Sequence, residues 1–267
     1  LKRDLAKVRE EKVHPRWEEF IKECFNILKI NYRPSTMYSY QSTIDKWLLK
    51  PWMGLELKDI TKKMVYELVY EKINSTEHTR KYVLKIIKRI FQVALDLGYI
   101  THNPAQGLQV RVPESDKKVL TNAEAQIFLS EAKATDHRFY PVWLMALFTG
   151  MRSGELYALR WTDIDLEAKT ISVGRSWSSK NGFTTTKNQK SRVVPVSDVL
   201  LDYLRELKLS CGQQEFVLPR LNEWERGEAA YVTREFCKSL GITEIKFHDL
   251  RATFITNLLS RGESLVR

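Results

Sequence analysis

The sequence predicts a mostly α-helical protein of two domains, the second carrying a small antiparallel sheet, an α+β class. Three observations predict it. Apolar residues recur at helical spacing through residues 17–100, a Pro-, Gly- and charge-rich stretch follows at 103–118, and short β-type runs lie between 170 and 196. With 267 residues, 43% of them hydrophobic, the chain can bury a core in one large or two ordinary domains.

The helical half opens with Trp17, Phe20, Ile21, Cys24 and Leu28 on one stripe. Pro34-Ser35-Thr36 is a start signal, after which Met37, Tyr40, Ile44, Trp47 and Leu48 repeat the pattern as far as Gly54. Thr61 is expected to cap a short third helix. Asn74 and Glu77 have the spacing of a capping box for a fourth, whose stripe is Val83, Ile86, Ile87, Ile90, Phe91 and Ala94. Lys81, Lys85, Lys88 and Gln92 share its opposite face. A solvated face is the plain reading of such a row, but almost no acidic residue lies among the lysines, which points to a binding surface.

Asn103-Pro104-Ala105, Gly107, Pro113 and the charges through Lys118 mark a linker, and the domain boundary is placed near residue 110. Thr121 and Glu124 form a second capping-box pattern. A buried helix is expected from Phe139 to Phe148, stopping at Gly150, with strands at Thr170–Val173, Gly182–Thr186 and Arg192–Val196. The last two are expected to pair as a hairpin with Lys187 near its tip. Helices resume at Asp198–Leu207 and from about Thr233.

The formal net charge is +10 and the isoelectric point is near 9.4. A chain this basic usually meets a polyanion, most often nucleic acid, although a merely cationic surface is the plain alternative. Cys24, Cys211 and Cys237 are scattered and odd in number, which argues against a disulfide framework or a zinc site and fits a reducing cytoplasm. Charges interrupt every apolar run, so no membrane span is expected. The start, Leu1-Lys2-Arg3-Asp4, has no signal-peptide character.

Basic groups concentrate at three constrained places. Arg152 lies on a tight connection between two helices, and its planar fork of donors matches a pair of phosphate oxygens. Lys187 sits at the expected hairpin tip, and His248 and Arg251 stand i, i+3 at a helix start. Taken singly, each has a plainer reading: Arg152 tied to Glu155 in a structural pair, Lys187 facing water, His248 capping a helix. His14, His78, His102 and His137 are dispersed, so no metal-ligand spacing accompanies His248.

Their order and context resemble one family closely. Thr149-Gly150-Met151-Arg152-Ser153-Gly154-Glu155-Leu156, continued by Leu159-Arg160-Trp161-Thr162-Asp163-Ile164-Asp165, is similar to the TGxRxxELxxLxWxDID block of the tyrosine recombinases, the phage integrase family. Lys187, the closing strand Arg192-Val193-Val194-Pro195, the His248-Asp249-Leu250-Arg251 box and the Asn103-Pro104-Ala105 linker follow in the family's manner. The resemblance spans roughly residues 17–267.

It implies a linker remnant at 1–16, a helical core-binding, SAM-like DNA-binding domain at 17–110 and a C-terminally incomplete catalytic domain at 111–267. The implied reaction is site-specific cleavage and rejoining of DNA through a 3′-phosphotyrosine link, with release of a 5′-hydroxyl. Arg152 and Arg251 would grip the non-bridging oxygens. Lys187 would protonate the leaving oxygen, His248 would assist proton transfer, and Glu155 would orient Arg152 or His248. Positive side chains would replace a metal, so no metal or other cofactor is expected.

Tyr38, Gln41, Arg80, Lys81, Lys85 and Lys88 are the DNA-contacting candidates of the first domain, for a duplex that the family clamps between its domains. The implied partners are double-stranded attachment sites, further copies in a tetramer on two duplexes, and accessory DNA-bending or excision proteins. The implied place is the cytoplasm, with the nucleoid. No tyrosine lies between His248 and Arg267, so the chain as written is expected to bind DNA without cleaving it by this route. The charged residues ahead of Trp17 fit removal of an N-terminal arm-binding domain, which favours a mobile-element integrase. A chromosome-dimer resolvase and a catalytically silent regulator on the same fold are the alternatives.

Overall fold

A computed structural model of the chain describes residues 14–114, 117–178, 181–185, 191–210, 212–218, 228–260 and 262. The chain divides into two compact units, residues 1–114 and 115–267.

The first unit is helical. α1 (Trp17–Asn31) and α2 (Pro34–Thr43) are joined by a short turn. α2 reaches α3 (Lys62–Tyr66) through a longer connection that holds two 3-10 turns, Lys50–Trp52 and Leu57–Asp59, and α4 (Glu77–Asp96) follows. α2 and α3 each run on into a π-helical turn, Ile44–Leu48 and Glu67–Lys72. Pro34 opens α2 at a position whose N–H would have no helical partner. Thr61 caps α3 by accepting from the Met64 amide. The expected stripes are the buried faces: α1 buries Trp17, Phe20, Ile21, Cys24 and Leu28, and α4 buries eight residues from Val83 to Ala94. Trp17 stacks on Phe91 at 5.5 Å, meets Trp52 edge-on at 4.9 Å, and donates its indole N–H to the Leu48 carbonyl at 2.9 Å. The core of this unit therefore centres on an aromatic knot in which the Trp17 indole N–H is satisfied.

One helix start differs from expectation. The cap of α4 is Thr76, not Asn74: Thr76 is extended and its hydroxyl accepts from the Thr79 amide at 3.3 Å, with Glu77 as the first helical residue. A cap must directly precede the first helical residue to reach the free amides, and Asn74 lies two positions too early.

The second unit is α+β. It comprises α5 (Asn122–Ala134), α6 (Tyr140–Thr149), α7 (Ser153–Tyr157), strands β1 (Ile164–Asp165), β2 (Thr170–Val173), β3 (Arg175–Ser178), β4 (Gly182–Thr185) and β5 (Arg192–Pro195), then α8 (Asp198–Ser210), α9 (Glu228–Ser239) and α10 (Asp249–Ser260). α6 is apolar nearly all round and is the central buried helix, with α5, α8 and α10 packed on it. The capping box of Thr121 and Glu124 opens α5 as expected.

The strands form two small antiparallel sheets, one in the order β1-β2-β5 and one of β3 with β4. This corrects the expected hairpin. β4 pairs with β3, Trp177 opposite Phe183, whereas β5 pairs with β2, Val173 opposite Arg192. β3 follows β2 after the single residue Gly174, and each pairs antiparallel with a later strand, β3 with β4 and β2 with β5. Lys187 falls outside the described residues.

Candidate active site

The site of the second unit is built on the turn between α6 and α7. α6 ends at Gly150, whose φ of +59° is the left-handed conformation of a helix stop. A side chain there would also collide with the ring of Phe254 on α10, so glycine is required twice over. Arg152 is then extended and directly precedes α7, where Gly154 lets β3 come close: a Cβ at Gly154 would lie 2.5 Å from Ser176 Oγ and 2.7 Å from the Trp177 carbonyl.

Glu155 is the hub. Its carboxylate is 1% exposed and accepts four hydrogen bonds, two from each of two residues. The Arg152 amide donates to Oε2 and its guanidinium to Oε1, each at 2.9 Å. Arg192, at the start of β5, donates through both ends of its fork, at 3.0 Å to Oε1 and 2.6 Å to Oε2. Burial pushes the Glu155 carboxyl up, but the bonds from Arg192 and Arg152 outweigh it and hold the group at about 2.

Arg251, on the first turn of α10, donates to the Gly150 carbonyl, two residues before Arg152. Burial lowers its proton affinity, as do the positive charges of Arg152 and Arg192, while Glu155 opposes the change. Three guanidinium groups and one buried carboxylate thus share one electrostatic neighbourhood. His248 is exposed and directly precedes α10. Its approach segment is pinned, because Glu124 accepts from the Thr243 amide at 2.8 Å and hydroxyl at 2.7 Å. On the helix itself, Thr253 accepts from the Leu120 amide at 3.1 Å.

Arg152, Glu155 and Arg251, read from the sequence, are therefore brought together, with His248 one helical turn from Arg251. The plain reading of Arg152 as a partner of Glu155 also holds. Both are compatible because Arg152 keeps 39% of its side chain exposed. Sequence reasoning missed Arg192 as a site residue. The signal was its alternation with Val194: period two puts both on one face of β5, and a cation on a buried face needs an anion.

In the first unit, Lys85 and Lys88 line an open groove of about 530 Å³ with Tyr32, Tyr40, Arg89 and Gln92. Lys81 is exposed on the same helix. The remaining candidates lie apart. Arg80 Nε donates to the Ile73 carbonyl at 3.1 Å, and Gln41 donates to Asp45 at 2.7 Å beside a second groove of about 330 Å³. Tyr38 is exposed on α2. Arg89, passed over in the sequence although it continues the Lys81–Lys85 spacing of four, lies 5.9 Å from the Tyr32 ring.

Residues 118–266 match the model of the phage integrase family. The chain is 27% identical over 285 residues to a XerC-like tyrosine recombinase of Caldanaerobacter subterraneus, spanning 90% of this chain and 71% of that protein. It is 25% identical over 268 residues to the ICEBs1 integrase of Bacillus subtilis, spanning 92% and 71%. Among solved structures, the Tn1549 transposon integrase in complex with a circular intermediate DNA superposes with a TM-score of 0.77 at 16% identity, over 91% of this chain and 87% of that one. A lambda integrase tetramer bound to a Holliday junction gives 0.73 at 18% identity, over 98% and 81%. These two likenesses speak to the fold. The matched segment contains the whole Arg152–Glu155–Arg251 neighbourhood and more than half of the sequence, and the chain belongs to the phage integrase family, the site-specific tyrosine recombinases.

Proposed function

We propose that the protein is a mobile-element integrase that grips one DNA phosphodiester with Arg152 and Arg251 while the family's tyrosine displaces the 5′-oxygen. The observation that carries this is the Glu155 hub: a buried carboxylate holds the half-exposed Arg152 in one orientation, with Arg251 beside it. Phosphoryl transfer needs charge stabilisation of the non-bridging oxygens and in-line positioning more than any further chemistry, and two fixed guanidinium groups supply both.

In this reading His248, exposed at the mouth of the helix that carries Arg251, exchanges the proton of the attacking hydroxyl. Lys187 protonates the leaving 5′-oxygen, and Glu155 orients Arg152. Lys81, Lys85 and Lys88 on α4 neutralise backbone phosphates, and Arg80 of the same helix and Tyr38 and Gln41 of α2 make further DNA contacts. The partners are double-stranded attachment sites and further copies of the chain, with the Holliday-junction tetramer of lambda integrase as the structural analogy. Accessory DNA-bending or excision proteins complete the assembly.

The test is Arg152→Ala in the full-length recombinase, assayed on DNA spanning the ends of the element. Cleavage is expected to fall about a thousandfold while DNA binding persists. Undiminished cleavage overturns the reading. The XerC-like relative favours a second reading, resolution of chromosome dimers by the same chemistry. Recombination at a replication-terminus site, but not at element ends, would select it.

A further inference from the structure

We propose that Arg192 is a positioning residue for phosphodiester cleavage, acting through Glu155 to keep Arg152 free for the phosphate. The proposal rests on the assignment of Arg152 and Arg251 to the phosphate.

Arg192 begins β5 and lies opposite Val173 of β2, with its side chain on the face of β5 that buries Val194. Only a quarter of that side chain is exposed, and both ends of its fork are spent on Glu155, at 2.6 and 3.0 Å. A paired fork of this kind is the strongest and most directional contact a carboxylate can accept. Arg152 makes the weaker claim, with one guanidinium nitrogen and its own amide on the same carboxylate.

The division of partners has an electrostatic consequence. Without Arg192, Arg152 would be the cation left on a buried anion among the described residues of the hub. Its charge would then be spent on Glu155 rather than on a ligand. With Arg192 in place the Glu155 charge is already matched. Glu155 still offers a rigid acceptor that aims Arg152, and the field of Arg152 and Arg251 is left for a phosphate. The geometry also couples two parts of the unit distant in sequence, because Arg192 is fixed by the β2–β5 ladder and Arg152 by the start of α7.

The experiment measures single-turnover cleavage by the full-length recombinase at saturating DNA, normalised to folded protein. Arg192→Met is expected to cut the rate about a hundredfold, the cost of misplacing a reacting group by about an ångström. DNA affinity should stay within about twofold. Arg192→Lys keeps the charge but loses the fork and should recover part of the rate. Because Arg192→Met leaves a buried anion short of a partner and can fail to fold, the same substitution is also made in Glu155→Gln, where no buried charge remains.

If Arg192 acts through Glu155, adding Arg192→Met to Glu155→Gln changes the rate by no more than about twofold. A further large loss there would mean that Arg192 touches the DNA itself, and would overturn the proposal. So would a wild-type rate for Arg192→Met. The Arg152→Ala control separates the two readings: with it inactive and Arg192→Met fully active, only the positioning role fails.

Discussion

Glu124 and Glu155 are held at similar proton affinities for different reasons, and the difference makes Glu124 the cleaner probe of its unit. At Glu155 two cations overcome burial. At Glu124 the work is done by neutral donors: the Thr121 amide first, then the hydroxyl and amide of Thr243, which together bring the carboxyl from 4.5 to about 2. A carboxyl lowered on folding stabilises the fold fully above its unfolded value and loses that contribution as pH falls through its folded value. The contribution of Glu124 should therefore be complete above about pH 5 and vanish progressively between about pH 5 and pH 2. Glu124→Gln is expected to cost about 2 kcal/mol at neutral pH, the scale of hydrogen bonds to a charged group, and nearly nothing at pH 2. Urea unfolding at stepped pH measures the gap. A gap that stays constant with pH would mean that the substitution acts by shape alone, not through the charge that ties α5 to the segment before His248.

At the scale of elements, α4 shows what local sequence can and cannot say. Its apolar stripe was legible because eight buried positions repeat at helical spacing, and Thr61, Thr121, Pro34 and Gly150 announced other helix boundaries through their own backbone chemistry. The start of α4 was misplaced because three cap-type residues, Asn74, Ser75 and Thr76, precede Glu77, and only the backbone decides among them. Thr76→Ala should destabilise the first unit by about 1 kcal/mol and Asn74→Ala by much less, read from denaturant midpoints. The reverse order would restore the sequence-based start. Strand existence was legible too, but strand pairing was not. β4 and β5 are alike as short runs, and the turn signal Asn181-Gly182, which joins β4 to β3, was passed over, while β5 pairs with the more distant β2. Arg192 was missed for the same reason. Its meaning depends on pairing with β2, which brings it to Glu155, thirty-seven residues earlier.

Across the whole molecule the question is whether the charge of +10 acts as a diffuse cloud or through a face. Lys85 and Lys88 share a groove with Arg89, whereas Lys169 is spent on Asp198 at 2.6 Å. Removing any one of these lysines changes the net charge equally, so a diffuse attraction would respond equally to all three. A phosphate contact behaves differently: each one releases condensed counterions, and its loss lowers the slope of log affinity against log salt by about one. Wild-type DNA binding should therefore weaken steeply with salt. Lys85→Ala and Lys88→Ala should each flatten the slope by about one, and Lys169→Ala should leave it unchanged. Fluorescence titrations of a duplex at several salt concentrations measure all four slopes. Equal slopes for the three variants would leave net charge as the source of affinity and remove α4 from the DNA interface. A loss confined to Lys85 and Lys88 would place the phosphate backbone along the lysine face of α4.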